Sequence, residues 1–270
     1  MIEISNCEVC DNSNLQSVLD LGLHALCDDL VKVNSERICK QYPIEILYCN
    51  HCFTAHQRFQ IPREKLFRKS YHYRARMTGS VLTGMADLVE NCEKKFGNLA
   101  NKLALDIGCN DGSLLDFFKR KGCKTIGIEP TNAIKDSKHD SFQTYFDLKS
   151  SKMIKEKVGN PDFITFTNVF AHIPNLPGLL DSLRLLISHN TIIVIENHYL
   201  GAILESNQFD TFYHEHPRTY SYKSFQFIAK SLGLNFLDAQ YVSRYGGNIR
   251  VYLGKGKEKS KPNRNETSFK

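Results

Sequence analysis

Four cysteines near the start of the chain occur as two pairs with the same spacing. Cys7 and Cys10 form one Cys-x-x-Cys pair, and Cys49 and Cys52 form the other. Each pair can present two thiolates from one tight turn, and two such turns can close a tetrahedral Zn²⁺ site. Four thiolates leave no open coordination position, so we expect a structural metal on which the fold of this module depends.

Other potential ligands lie close to these pairs in the sequence. Cys27 and Cys39 could compete as ligands, but neither belongs to a Cys-x-x-Cys pair. We expect His51 and His56 to be non-ligands, because the four paired cysteines already complete the shell.

A glycine-rich turn at residues 105–112, with the sequence L-D-I-G-C-N-D-G, follows an apolar run. Glycines there let the backbone approach a ligand closely. Asp106 and Asp111 would repel a pyrophosphate, so the turn suits a cationic or zwitterionic ligand. The next apolar run ends in G-I-E-P, where Glu129 can accept hydrogen bonds from both hydroxyls of a ribose.

Two further segments concentrate groups that can transfer protons. Residues 209–216 read F-D-T-F-Y-H-E-H, and residues 168–174 read N-V-F-A-H-I-P. Histidine titrates near neutral pH and suits proton abstraction. The alternative for the first segment is a polar loop or a satisfied hydrogen-bond network, and His172 in the second could be purely structural.

These groups must be positioned by alternating strands and helices. Apolar runs predict strands at 102–107, 124–129, 142–146, 162–167, 191–196, 235–242 and 248–253, with helices at 112–121 and 222–232. Such alternation predicts an α/β fold with a mostly parallel seven-stranded sheet covered on both faces. Residues 64–100 are predicted to be helical, with one apolar face that packs on this domain.

Composition limits the classes of protein to consider. The chain has 270 residues and a net charge of +6, with basic and acidic residues interleaved outside the tail. No apolar run could span a bilayer and no secretory signal is visible, so we expect a cytoplasmic protein. The absence of a basic stripe or an aromatic RNA motif argues against nucleic-acid binding, and the acidic and histidine groups argue against a non-catalytic scaffold.

The glycine turn and the G-I-E-P segment resemble the first two motifs of class I S-adenosylmethionine-dependent methyltransferases, which have a Rossmann-like fold. The resemblance implies that the turn contacts the amino-acid part of the cofactor and that Glu129 holds its ribose. It places Phe146 near the adenine and Asn168 near the methionine moiety. The residues expected to bind the cofactor are Asp106, Gly108, Asn110, Asp111, Gly112, Glu129, Pro130, Phe146 and Asn168.

The whole chain is similar to a narrower family, the zinc-containing sugar C-methyltransferases that act on nucleotide-linked keto-deoxysugars. The matching segments are the two cysteine pairs, Y-H-Y-R at 71–74, the two cofactor motifs, N-V-F-A-H-I-P, F-D-T-F-Y-H-E-H and G-G-N-I-R at 246–250. The resemblance implies that His216 is the general base that removes a proton next to a ketone. Tyr213, Glu215 and His172 would orient that base or stabilise the enolate, and Tyr73 would line the pocket.

The family also sets expectations for organisation and partners. We expect a zinc module at 1–62, a helical connector at 63–100, a methyltransferase domain at 101–254 and a disordered basic tail at 255–270. Members of the family usually carry a further C-terminal domain that helps to bind the sugar nucleotide. This chain is expected to lack that domain, so its acceptor could be different or smaller. We expect C-methylation of a nucleotide-linked keto-deoxysugar, a small activated precursor for a surface glycan or natural product. The alternative is O-methylation of another small precursor, for example of a capsule. A partner subunit could complete the acceptor site.

Overall fold

Short apolar runs around the cysteine pairs fold into small antiparallel sheets, in a computed structural model that describes residues 1–69, 71–257 and 266–269. The first five strands are β1 (Ile2–Glu3), β2 (Gln16–Ala25), β3 (Gln41–Cys49), β4 (Thr54–Gln57) and β5 (Phe59–Gln60). β1 pairs with β5, while β2, β3 and β4 lie side by side in that order. The turn between β3 and β4 carries the second cysteine pair, so the sheet presents two metal ligands directly.

The connector after this module is only partly helical. α1 (Arg63–Leu66) is a single turn, and the long helix α2 (Gly79–Phe96) begins far later than the predicted start at residue 64. Residues 71–78 contain no α-helix, because several of their backbone amides donate to distant side chains, as when the amide of Ala75 donates to the side chain of Asn110. The apolar face of α2 is buried as predicted, through Val81, Met85, Leu88, Val89 and Cys92.

The alternating elements from residue 103 form one seven-stranded sheet, which confirms the predicted α/β fold. Its strands are β6 (Leu103–Ile107), β7 (Lys124–Ile128), β8 (Asp140–Phe142), β9 (Phe163–Thr167), β10 (Ile192–His198), β12 (Asn235–Val242) and β13 (Asn248–Gly254). Their spatial order is β12-β13-β10-β9-β6-β7-β8, and β13 is antiparallel to both of its neighbours. The order reverses at β6, where open α/β sheets bind ligands beyond the carboxyl ends of their strands.

Helices cover both faces of this sheet. They are α3 (Ser113–Arg120), α4 (Leu148–Val158), α5 (Leu176–Leu186), α6 (Leu200–Ser206) and α7 (Tyr222–Ser231). Successive residues of a strand face opposite sides, so Ala104 packs in the cluster with α2 and α3 while Leu105 packs in the cluster with α4, α5 and α7. The carboxyl ends of the strands stay uncovered between these layers.

The predicted strand at 142–146 is misplaced by several residues. β8 ends at Phe142, and residues 143–147 form a loop that leads into α4. Asp147 caps that helix, because its carboxylate accepts a hydrogen bond from the amide of Ser150 at 3.0 Å.

One strand and the tail join parts of the chain that are distant in sequence. β11 (Arg218–Thr219) pairs with β4 and extends the sheet of the cysteine module. The predicted disordered tail at 255–270 lies mostly outside the described residues. Residues 266–269, which the structure describes, differ from the predicted disorder. Glu266–Phe269 forms a 3-10 turn, and Glu266 accepts hydrogen bonds from the hydroxyl of Tyr199 and from the backbone amide of Tyr222. Within the described residues, no helix has the length and apolar character needed to cross a bilayer.

Candidate active site

The four paired cysteines converge on one point. Their sulfur atoms all lie within 4.8 Å of one another. Each pair is followed by a residue in the left-handed region, Asp11 after the first pair and Phe53 after the second, each with φ of 58°. These tight turns aim both thiols of a pair in the same direction, and a set of four thiolates, three of them on buried cysteines, fits Zn²⁺.

The other candidate ligands lie outside the four-cysteine cluster, although one of them, His56, contacts it. The thiol of Cys27 donates to Glu215, and that of Cys39 donates to the carbonyl of Asp29. His51 packs against Phe227, and Nε2 of the buried His56 lies 3.2 Å from the sulfur of Cys7.

A cavity of about 340 Å³ opens at the carboxyl ends of β6, β7, β9 and β10. Its wall contains most of the residues that the sequence singles out for ligand binding and chemistry. They are Tyr73, Asp106, Gly108, Asn110, Glu129, Pro130, Phe146, Asn168, His172, Tyr213, Glu215 and His216. The volume falls in the range of pockets that enclose a small organic ligand.

The glycine turn brings backbone to the floor of this cavity. Gly108 has φ of +72°, and a Cβ built on it would lie 2.6 Å from the side chain of Val169. Only glycine satisfies both the backbone angle and this close approach. Asn110 follows in the left-handed region at φ of 49°, and its side-chain nitrogen donates to the carbonyl of Tyr73.

Glu129 lies at the end of β7 with its carboxylate against the turn. One oxygen accepts a hydrogen bond from the amide of Asn110 at 3.1 Å, and the other accepts from the amide of Thr131 at 2.9 Å. A carboxylate has about four acceptor positions, so two remain for a ligand. The backbone thus fixes the carboxylate before a ligand arrives.

Asp106 is a second acidic group in the cavity wall, one strand away. It is 3 % exposed and accepts a hydrogen bond from the hydroxyl of Thr165 at 2.7 Å. Burial raises its pKa to about 7, although the bond from Thr165 acts in the opposite direction. A positively charged ligand would favour its ionised form.

Two residues that the sequence assigns to cofactor binding do not line the cavity. The carboxylate of Asp111 accepts hydrogen bonds from Arg76 and from Ser113 at the start of α3. Burial alone would raise the pKa of Asp111, but these bonds outweigh it and hold that pKa below its usual range. Gly112 is required instead by packing, because a Cβ there would lie 2.6 Å from the hydroxyl of Ser137.

His216 lines the same cavity and lies among aromatic rings. Its ring centroid is 4.3 Å from that of Tyr213, 4.6 Å from His172 and 5.1 Å from His198. Nδ1 donates to the carbonyl of Thr211 at 2.8 Å, because a carbonyl oxygen can only accept. In the neutral ring Nε2 therefore carries the lone pair and can take a proton.

The surroundings of His216 keep its ring neutral. Burial, together with His172 and His198, holds the pKa of His216 well below its usual value. Burial also lowers the pKa of His172 to about 4 and lowers that of His198. The Nδ1 atoms of His172 and His198 are buried without a hydrogen-bond partner among the described residues.

Glu215 is connected to His172 and to the cysteine module. One of its carboxylate oxygens lies 3.8 Å from Nδ1 of His172, and the other accepts from the thiol of Cys27 at 2.8 Å. Burial raises the pKa of Glu215. Its neighbour His214 contributes nothing to the cavity, because that ring donates to the carbonyl of Tyr42.

Sequence reasoning missed His198 and Tyr245, which both line the cavity. Their ring centroids are 5.8 Å apart. His198 ends β10, so its position at the carboxyl end of a strand was a usable signal. Tyr245 gave no such signal, since it reaches the cavity through an unusual backbone conformation with φ of 52°.

The strand order and the acidic groups at the ends of β6 and β7 are those of a class I S-adenosylmethionine-dependent methyltransferase. The model of a family described as "Methyltransferase domain" matches residues 73–239, and one described as "Putative zinc binding domain" matches residues 7–67. The chain belongs to this methyltransferase family, with an N-terminal module that binds Zn²⁺.

Known proteins with similar sequences and folds agree with this assignment. C-methyltransferase NovU from Streptomyces niveus is 26% identical over 92% of this chain, which spans 60% of its length. Ubiquinone biosynthesis O-methyltransferase from Acinetobacter baylyi is 24% identical over 35% of the chain and 43% of its own length. The structure of magnesium protoporphyrin IX methyltransferase from Synechocystis with bound SAH shares the fold, with a TM-score of 0.51 and 13% identity over 72% of this chain and 93% of its own.

Replacing Glu129 with alanine should weaken S-adenosylmethionine binding by about 10- to 100-fold, because a charged hydrogen-bond acceptor contributes about 1.5–3 kcal/mol. Calorimetric titration with the cofactor or its demethylated product measures the change, and circular dichroism verifies the fold. Glu156→Ala, on the exposed face of α4, is the matched control. Unchanged affinity in Glu129→Ala would remove this carboxylate from the cofactor site.

Proposed function

We propose that this methyltransferase places a methyl group on a carbon next to the ketone of a nucleotide-linked keto-deoxysugar, in the biosynthesis of a surface glycan or natural product. The observation that carries the proposal is the hydrogen bond from Nδ1 of His216 to the carbonyl of Thr211. This bond leaves Nε2 as the basic atom of His216. The ring lines the same cavity as Asp106 and Glu129, at the ends of β6 and β7.

In this proposal the cofactor side of the cavity is formed by the glycine turn, Glu129 and Phe146. Glu129 would accept from the ribose hydroxyls through its two unused acceptor positions. Gly108 would let the backbone approach the amino-acid part, and Asn168 would lie beside it. S-adenosylmethionine supplies the methyl group when it is bound.

On the acceptor side, His216 would remove the proton from the carbon next to the ketone. The ring is neutral near pH 7, so it can accept that proton without first losing one. The oxygen of the resulting enolate needs hydrogen-bond donors. The hydroxyl of Tyr213 and a ring nitrogen of His172 are candidates, since both groups line the same wall.

C-methylation is favoured over O-methylation by the extent of the similarity. The C-methyltransferase aligns with 92% of this chain, whereas the O-methyltransferase aligns with only 35%. A hydroxyl acceptor would use His216 in the same way, so the two reactions must be separated by their products.

The test uses ¹³C-methyl-labelled cofactor with a panel of nucleotide-linked keto-deoxysugars and zinc-loaded protein. Carbon–proton correlation spectra show whether the labelled methyl group is bonded to carbon or to oxygen. A parallel incubation in D₂O with the demethylated cofactor should exchange the acceptor proton next to the ketone. An O-methyl product would overturn the assignment in favour of the alternative, and the absence of both transfer and exchange across the panel would reject the substrate class.

A further inference from the structure

The segment that carries the proposed base is bonded to the zinc module along its length. We call residues 213–219 the histidine segment. The side chain of Gln57 donates to the carbonyl of Tyr213, and the backbone amide of Gln57 donates to the carbonyl of Pro217 at 2.9 Å. His214 and Glu215 contact Tyr42 and Cys27, as described above, and β11 pairs with β4.

Arg218 lies at the centre of this connection. It is 1 % exposed, and its guanidinium donates in three directions. Nε donates to the hydroxyl of Tyr220 at 2.9 Å, Nη1 to the carboxylate of Glu8 at 2.5 Å, and Nη2 to the carbonyl of Ile173. Glu8 is adjacent to the zinc ligand Cys7, and Ile173 is adjacent to His172.

The chemistry of the guanidinium makes these three contacts interdependent. Its planar fork holds the donors at fixed angles, so the positions of the three acceptors are set relative to one another. A fully buried cation also requires its partners, because leaving it unpaired costs several kcal/mol. A change in the zinc turn at Glu8 would therefore be transmitted to Ile173 and to the backbone of Arg218 itself.

We propose that Arg218 is a positioning residue, which uses the folded zinc turn to fix the rings of His172 and His216 relative to each other. This inference rests on the proposed function, since it assigns the purpose of that alignment. The zinc module is then part of the acceptor side of the active site, and Zn²⁺ held by its four cysteines would stabilise the turn at Glu8 without contacting a substrate.

Arg218→Lys tests the inference, because lysine keeps the charge but carries its donors on a single nitrogen and cannot reach the three acceptors in the planar geometry of the guanidinium. The expected result is unchanged binding of the demethylated cofactor, together with loss of the single Nδ1-protonated form of His216 in ¹⁵N-histidine spectra. Acceptor proton exchange should fall on the order of 100-fold, the effect of a small misplacement of a catalytic group. Arg58→Lys, which removes the guanidinium from two surface ion pairs of the same module, with Glu3 and with Glu45, should change none of these.

Glu8→Gln provides a second variant if Arg218→Lys fails to fold. The glutamine amide keeps an oxygen acceptor for the guanidinium of Arg218, but the negative charge of the Glu8 carboxylate is lost. A smaller change of the same kind is expected. The inference is wrong if the folded variants retain the wild-type tautomer of His216 and the wild-type exchange rate. If wild-type protein itself exchanges no acceptor proton, the proposed function fails, while the tautomer spectra still decide the role of Arg218.

Discussion

Glutamine in place of His216 should lower the rate of methyl transfer by about 100- to 10,000-fold, the usual contribution of a general base. Cofactor affinity should stay within about twofold, because the proposed function assigns His216 to the acceptor and Glu129 to the cofactor. Glutamine keeps a polar side chain of similar size, and circular dichroism verifies that the fold is preserved. Steady-state kinetics and calorimetry on the same preparation measure the two effects, with His189→Gln on the exposed surface as control.

The pH dependence of the wild-type protein adds a check on His216. A base must be neutral to accept a proton, and burial with two neighbouring histidines holds the pKa of His216 well below 6.5. The rate should therefore stay constant as pH falls through 6.5 and decline only at lower pH. A decline centred at 6.5 or above, or full activity in His216→Gln, would rule out His216 as this base.

Serine in place of Cys49 should release the metal and unfold the N-terminal module. Cys49 is fully buried, and a tetrahedral Zn²⁺ site with three thiolates loses much of its affinity. Metal binding supplies about 10–16 kcal/mol to the fold of zinc-finger peptides, more than the total stability of most domains. We expect less than one zinc per chain by elemental analysis and a lower unfolding temperature.

The domain of the seven-stranded sheet should stay folded in Cys49→Ser and still bind the demethylated cofactor, because Glu129 and Gly108 lie outside the cysteine module. Acceptor proton exchange should be lost, since the histidine segment loses the strand with which it pairs. Cys39→Ser is the matched control, because that thiol donates to the carbonyl of Asp29 and lies outside the cluster. A metal-free Cys49→Ser protein with wild-type stability would contradict a structural zinc site.

Local chemistry explains which features could be predicted from the sequence. A Cys-x-x-Cys turn and a glycine turn between a strand and a helix carry their geometry within a few residues. The positions of Cys7, Cys49, Gly108 and Glu129 therefore follow from neighbours along the chain. The apolar face of α2 was predictable for the same reason, since its period is local.

The features that were missed depend on contacts between distant residues. Residues 71–78 were predicted to be helical, but within them Ala75 and Arg76 donate hydrogen bonds to Asn110 and Asp111 on the glycine turn. The same contacts turn Asp111 away from the cavity. β11 has only two residues, and its partner β4 lies far earlier in the chain, so no local pattern indicates that pairing.

The thiol of Cys27 offers a way to follow acceptor binding without adding a label to the ligand. Burial and the hydrogen bond to Glu215 raise the pKa of this cysteine to about 12, so alkylating reagents should modify it slowly despite its exposure. An acceptor that occupies Glu215 would release the thiol from that partner and change its alkylation rate. Four of the other cysteines form the metal site and three are buried, so the Cys39→Ser protein would report mainly on Cys27.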